Sequence, residues 1–189
     1  SLAAHQLKLQ NGVYVPASTE IPVNSQRQDA QSSPVLAANT RGDVLAVFAN
    51  QVDEDVQGPA RFGLRARLLS SANESCATSC QPETKLAPEQ IVSEVAVGSD
   101  TLPSLTALAD GSFLVTWARS HADQHSGIYA RHLNADGTAL GHEFRLSNNT
   151  SAIEPSIDAL ASGEFVAAWL VEDRGGYAIE CARFDATGK

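Results

Sequence analysis

The residues able to do chemistry gather in a few polar stretches. Arg119-Ser-His121-Ala-Asp123-Gln-His125 puts two imidazoles and a carboxylate on alternate positions. Alternate side chains of an extended segment project to one side, so His121, Asp123 and His125 form a candidate zinc or copper ligand set. Two other stretches, Asn50 to Gly58 and Val171 to Gly176, are acidic and contain glycine. Asp53, Glu54, Asp55, Asp123, Glu172 and Asp173 are the hard oxygen donors that calcium takes, which makes calcium the candidate cofactor and these six the candidate ligand-binding residues. Against this, neither the EF-hand spacing nor the glycine-rich nonapeptide is present, and acidic loops of an acidic protein are often only solvated. Cys76 and Cys80 share the polar run from Ser70 to Thr84. A disulfide between them would persist only in an oxidising compartment, and the alternative is two free thiols in a cytosolic loop. Zinc on this pair would need two further ligands, and no second Cys or His pair stands nearby.

These stretches must be held by something, and the chain shows what by repeating itself. Pro34…Gly42…Phe48, Pro103…Gly111…Trp117 and Pro155…Gly163…Trp169 share one frame, with glycine eight positions after proline and an aromatic six after that. Each continues to a third hydrophobic run, Leu64 to Leu69, Ile128 to Leu133 and Ile179 to Phe184. The last two enter matching turns, Asn134-Ala-Asp-Gly137 and Asp185-Ala-Thr-Gly188. Glu143-Phe-Arg-Leu-Ser147 then follows in the second copy, with counterparts Glu20-Ile-Pro-Val-Asn24 and Gln90-Ile-Val-Ser93. The second and third prolines are 52 positions apart, and the first step is longer by the cysteine-bearing insertion.

Four short runs divided by turn residues are the pattern of an antiparallel meander, with glycine supplying the positive φ of each tight hairpin. Phe113-Leu-Val-Thr-Trp117 is apolar enough to be covered on both faces, as a strand between stacked sheets would be. Phe48, Trp117 and Trp169 then read as packing residues, one per sheet. By the same alignment Cys181 falls where Ala130 stands and is expected to be small, buried and unreactive. One meander cannot bury both its faces, and radial stacking solves that problem.

The frame of Pro, Asp-Gly, Phe-x-Val-x-Trp, Gly-Ile-Tyr-Ala-Arg and Asp-Gly resembles the tandem repeats, roughly fifty residues long, of large bacterial surface and secreted proteins. More distantly it resembles β-propeller blades of the sialidase kind. The resemblance implies an all-β, blade-type fold in a secreted, periplasmic or cell-surface setting, with a scaffold or adhesive role. It carries no catalytic motif. A sialidase-like hydrolase would need converging arginines, a tyrosine nucleophile and acid/base groups. Arg119, Arg131, Arg174, Tyr129, Tyr177 and Glu180 are present by type, but most fall on alternating strand positions.

Composition narrows the partners. With 13 Lys plus Arg against 22 Asp plus Glu, the net charge of −9 argues against nucleic acid and anionic membranes. No apolar run is long enough to insert in a bilayer, and the lack of any methionine suggests a processed or excised segment. The expected organisation is a single structural domain. Residues 1–32 complete a blade, 33–101 form the first blade with the cysteine loop, 102–154 the second and 155–189 a partial third. Three blades fall short of the roughly four to eight that closure takes, so self-association or another chain completing the ring is the expected partnership, the alternatives being a fragment of a longer array and repeats that stack without closing. The expected function is a non-catalytic binding or assembly module. A lectin-like module holding a glycan, a sialidase-like glycosidase fragment and a metal-binding surface protein are the alternatives.

Overall fold

A computed structural model of the chain describes every residue except 1–2, 5–6, 12, 17–20, 26–29, 53–59, 72–83, 95–97, 122–124 and 174. The N-terminal part holds β1 (Ala3–Ala4), β2 (Leu7–Gln10), β3 (Val13–Pro16) and β4 (Ile21–Pro22), with β1 paired to β4 and β2 to β3. The first sheet follows as β5 (Gln31–Ala38), β6 (Val44–Gln51) and β7 (Phe62–Ser71), with β8 (Thr84–Leu86) and β9 (Gln90–Ile91) both pairing to β7. The second is the meander β10 (Ser99–Ala107), β11 (Phe113–Ser120), β12 (Gly127–Leu133) and β13 (Ala139–Arg145). The third is β14 (Ala152–Ala159), β15 (Phe165–Asp173) and β16 (Gly176–Phe184). All pairings are antiparallel, and β10 packs between β5 and β14.

The three landmarks of the repeat are the fixed points of one hairpin. In each first strand the register skips at the proline: Ser33 and Pro34 face Phe48 alone, Leu102 and Pro103 face Trp117, and Glu154 and Pro155 face Trp169. That is a β-bulge, two residues against one. The glycine closes the hairpin. Gly111 N–H donates to Leu108 C=O at 3.0 Å and Leu108 N–H to Ser112 C=O at 2.8 Å, with Gly111 at φ 88°. A tight turn followed by a left-handed residue matches the twist of the flanking strands. The same pair of bonds recurs at Asn39–Gly42, Asn134–Gly137, Leu160–Gly163 and Asp185–Gly188. Side chains reinforce the turns: Asp110 accepts from Ser112 and Asp136 from Thr138, which holds both carboxyls below their usual range.

Two apolar layers hold the sheets together. Between the first and second lie Leu45, Val47, Ala49, Leu64 and Ala66 against Phe113, Val115, Trp117 and Leu133. Between the second and third lie Leu114, Ala118, Ile128 and Ala130 against Phe165, Ala167, Trp169 and Val171. The middle strands β6 and β11 are buried on both faces, whereas β15 alternates, because only one face of the third sheet is covered. Phe48, Trp117 and Trp169 are all core residues, as their recurrence implies.

Cys181 departs from its expected burial. It pairs with Ala168 as Ala130 pairs with Thr116, yet it is exposed. The alignment is right and the neighbour differs: Ala130 is covered by the third sheet, and no described sheet covers the third in turn. No helix among the described residues is long and apolar enough to cross a membrane.

Candidate functional site

The three bulges meet. Ser33, Pro34, Val35, Leu102, Pro103, Glu154 and Pro155 line an open depression of about 240 Å³ where the first strands of the three sheets come together. Ser33, Leu102 and Glu154 have φ of 52°, 53° and 52°. A residue before proline is pressed toward extended backbone, and the left-handed region costs a residue with a side chain about 1–3 kcal/mol. Strain repeated at one place in three sheets marks the axis as the candidate site. Its chemistry is simple: proline rings and Leu102 make an apolar floor, and the exposed Glu154 carboxylate can accept hydrogen bonds from hydroxyls. Among the described lining residues Glu154 is the one carboxylate, while glycoside hydrolysis takes a pair.

A second concentration of charge lies between the first and second sheets. Asp100, fully buried, receives Arg119 through Nε at 2.7 Å and Nη2 at 2.8 Å. Arg119 also pairs with Glu143, whose Oε2 accepts Glu94 N–H at 3.0 Å, and its guanidinium lies 4.2 Å above the Tyr129 ring. Burial pushes the Asp100 carboxyl up despite Arg119. For Glu143 burial acts the same way, but the Arg119 bonds outweigh it and the carboxyl sits below its usual range. Arg131 is equally committed, donating to Val92 C=O at 2.7 Å, Gly141 C=O at 2.9 Å and Glu94 at 2.6 Å.

The residues singled out from sequence are placed as follows. His121 and His125 stand edge to face with ring centroids 5.7 Å apart, but Asp123 lies outside the described residues. Asp53, Glu54, Asp55, Cys76, Cys80 and Arg174 also lie outside them. Glu172 and Asp173 are exposed at the end of β15, paired with Tyr177 and Gly176. Among the described residues no group of three or more His, Cys, Asp or Glu is placed to hold a metal. Glu180 accepts the Trp169 indole N–H at 3.1 Å. Sequence reasoning passed over Ser33, Leu102 and Glu154. The available signal was their shared place before the landmark proline, but the local rule for that place predicts extended backbone.

No protein-family model matches the sequence, and no curated protein matches it. Solved structures do. The chain is similar to a Hadza microbial sialidase at 14% identity and a TM-score of 0.53, with 83% of this chain and 38% of that one covered. It is also similar to an endo-arabinase from Bacteroides thetaiotaomicron at 16% identity and a TM-score of 0.55, with 93% of this chain and 64% of that one covered. The chain thus spans less than two thirds of either protein. What these likenesses establish is the fold: all-β, antiparallel meanders arranged as in propeller-type glycosidases.

Proposed function

We propose that this chain is a non-catalytic assembly and binding module, working outside the cytoplasm, whose third sheet receives a partner. One observation carries the reading. Ile179 is 79% exposed, whereas its counterparts Leu64 and Ile128 are 1% and 0% exposed, and Cys181 is exposed where Ala66 and Ala130 are buried. Ile153, Tyr177 and Ile179 share that uncovered face, and covering one such side chain stabilises by about 1.5–3 kcal/mol. The absence of turnover is supported by Arg119 and Arg131, both committed to carboxylates and backbone carbonyls. The test has two arms. Sedimentation of the wild type is expected to show association that Ile179→Asp abolishes. A panel of fluorogenic glycosides, sialosides and arabinosides among them, is expected to stay intact, and steady turnover would refute the non-catalytic reading.

The axial depression favours a second reading, a lectin-like module. An apolar floor beside a hydroxyl acceptor suits one face of a sugar, and both similar structures are named for enzymes of carbohydrates. On a glycan array this reading requires binding that Glu154→Gln removes.

A further inference from the structure

We infer that the joint between the second and third sheets is an acid-operated switch: protonation of His132 loosens it while the joint between the first and second sheets stays closed. The two joints differ at this position. Leu68 pairs with Leu45 and His132 with Leu114, so the two hold the same place in the third strands of successive sheets. Each faces the next sheet, Leu68 on the side of Leu64 and Ala66, His132 on the side of Ile128 and Ala130. Each also meets the turn that follows the next sheet's third strand. A Cβ on Gly137 would lie 3.9 Å from Leu68 Cβ, and one on Gly188 would run into the Phe144 ring that stacks on His132. The first joint closes its turn over an aliphatic side chain, the second over an imidazole.

The imidazole is placed for its neutral form. Its ring lies 24° from the plane of Phe144 with centroids 5.8 Å apart, and its Nε2 is buried with no partner. Adding a proton puts charge into an apolar contact and leaves an Nε2–H without an acceptor. The Ala186 carbonyl and the Asp110 carboxylate of the β10–β11 turn favour the charged ring, but burial outweighs both and holds it below the ordinary histidine range. The other charges are committed elsewhere. In the third sheet Glu180 takes the Trp169 indole N–H, Arg183 pairs with Glu164, and Asp158 meets Thr106 of β10. The Asp185 carboxylate takes the Thr187 and Lys189 N–H groups inside its own turn, with the Lys189 charge near it. In the second sheet Arg131 is turned to Val92 C=O, on the side of the first sheet, and His142 stands at Glu94.

The ring is thus neutral in the closed joint and takes a proton more readily once the joint opens to water. Closure is complete above the ordinary histidine value and weakens as pH falls below it. The opening reaches the candidate site as well. β14 carries Glu154 and Pro155 to the axial depression, so loosening this joint draws the carboxylate away from Leu102 and Pro103.

The chain has two tryptophans, one in each joint, and each reports on its own. In Trp117→Phe the remaining indole is Trp169, and its quenching by acrylamide is expected to rise as pH falls from about 7.5 to about 5.5, the span in which histidine titrates. In Trp169→Phe the remaining Trp117 is expected to show no rise. Adding His132→Leu, which copies Leu68, to Trp117→Phe is expected to remove the response. His132→Gln is neutral throughout the span and gives the same answer should the leucine disturb packing. A Trp169 response that survives both changes, a Trp169 that never responds, or an equal rise at Trp117 would overturn the switch.

Discussion

Removing Arg119 strands a charge. Asp100 is fully buried, and Arg119 supplies two hydrogen bonds to it and further bonds to Glu143. Breaking a buried pair from one side costs about 3–5 kcal/mol, because the remaining charge stays out of water. Arg119→Ala is therefore expected to lower stability by about that amount, a fall in melting temperature of roughly 10 °C for a chain of this size. The chain itself supplies the rescue. At the same place the first sheet pairs Gln31 with Asn50 and the third pairs Ala152 with Val171. Asp100→Ala with Arg119→Val copies the third sheet and removes both charges, which is often neutral. The double variant is expected to recover at least half the loss, the remainder being Glu143 without its arginine. Urea melts that compare midpoints at constant slope measure both changes. If the double variant is no more stable than Arg119→Ala, the loss comes from packing against Tyr129, and the argument from stranded charge fails.

Other expectations follow from single contacts. Burial holds the His132 ring below the ordinary histidine value of 6.5, so its neutral ring contributes stability above that pH and loses it as acid protonates it in the fold. His132→Leu, which copies Leu68 and removes a buried unpartnered Nε2, should flatten urea-melt stability on the acid side of 6.5; an unchanged slope would contradict this. Gly137 has φ 83°, and a Cβ there would sit 2.8 Å from Leu45 Cδ1, so Gly137→Ala should cost about 1–3 kcal/mol in the same melts. Trp117 Nε1 is buried without a partner, and the first sheet uses Phe48 at that place. Trp117→Phe should stay within about 1 kcal/mol of wild type while Trp117→Ala loses about 3–5; equal losses would show that the orphaned N–H is not a liability.

What the sequence disclosed and what it hid divide along physical lines. Proline, turn glycine and the aromatic across the bulge recur because each answers a backbone demand that is the same in every sheet. Such demands are written locally and can be found by aligning the chain with itself. The exposure of Cys181 cannot, since alignment transfers a position but not its neighbour. The Asp100–Arg119 pair is likewise silent in the pattern: its counterparts are amides in one sheet and aliphatics in another, so no repeated letter announces it. Of the expected metal ligands that are described, His121 and His125 stand between β11 and β12 and Glu172 and Asp173 at the very end of β15, where spacing alone does not fix geometry.

The axial kinks separate architecture from chemistry. Ser33, Leu102 and Glu154 carry unlike side chains, yet their φ angles agree to within a degree. A conformation that persists under three unlike side chains is imposed by its surroundings, here the bulge of two residues against one aromatic, and it is held against the extended preference that the following proline sets. The side chains are then free to set what the axis presents: a hydroxyl, an aliphatic group and a carboxylate. Glycine tests this directly, because it enters the left-handed region without the penalty of about 1–2 kcal/mol that other residues meet there. It also gives back about 0.5–1 kcal/mol through the freedom of the unfolded chain. Ser33→Gly is thus expected to raise stability by about 0.5–1 kcal/mol in urea melts. Glu154→Gly should match the gain while removing the axial carboxylate. If Ser33→Gly destabilises instead, the side chains themselves hold the kinks, and the axis is a structural knot whose residues cannot be exchanged for binding.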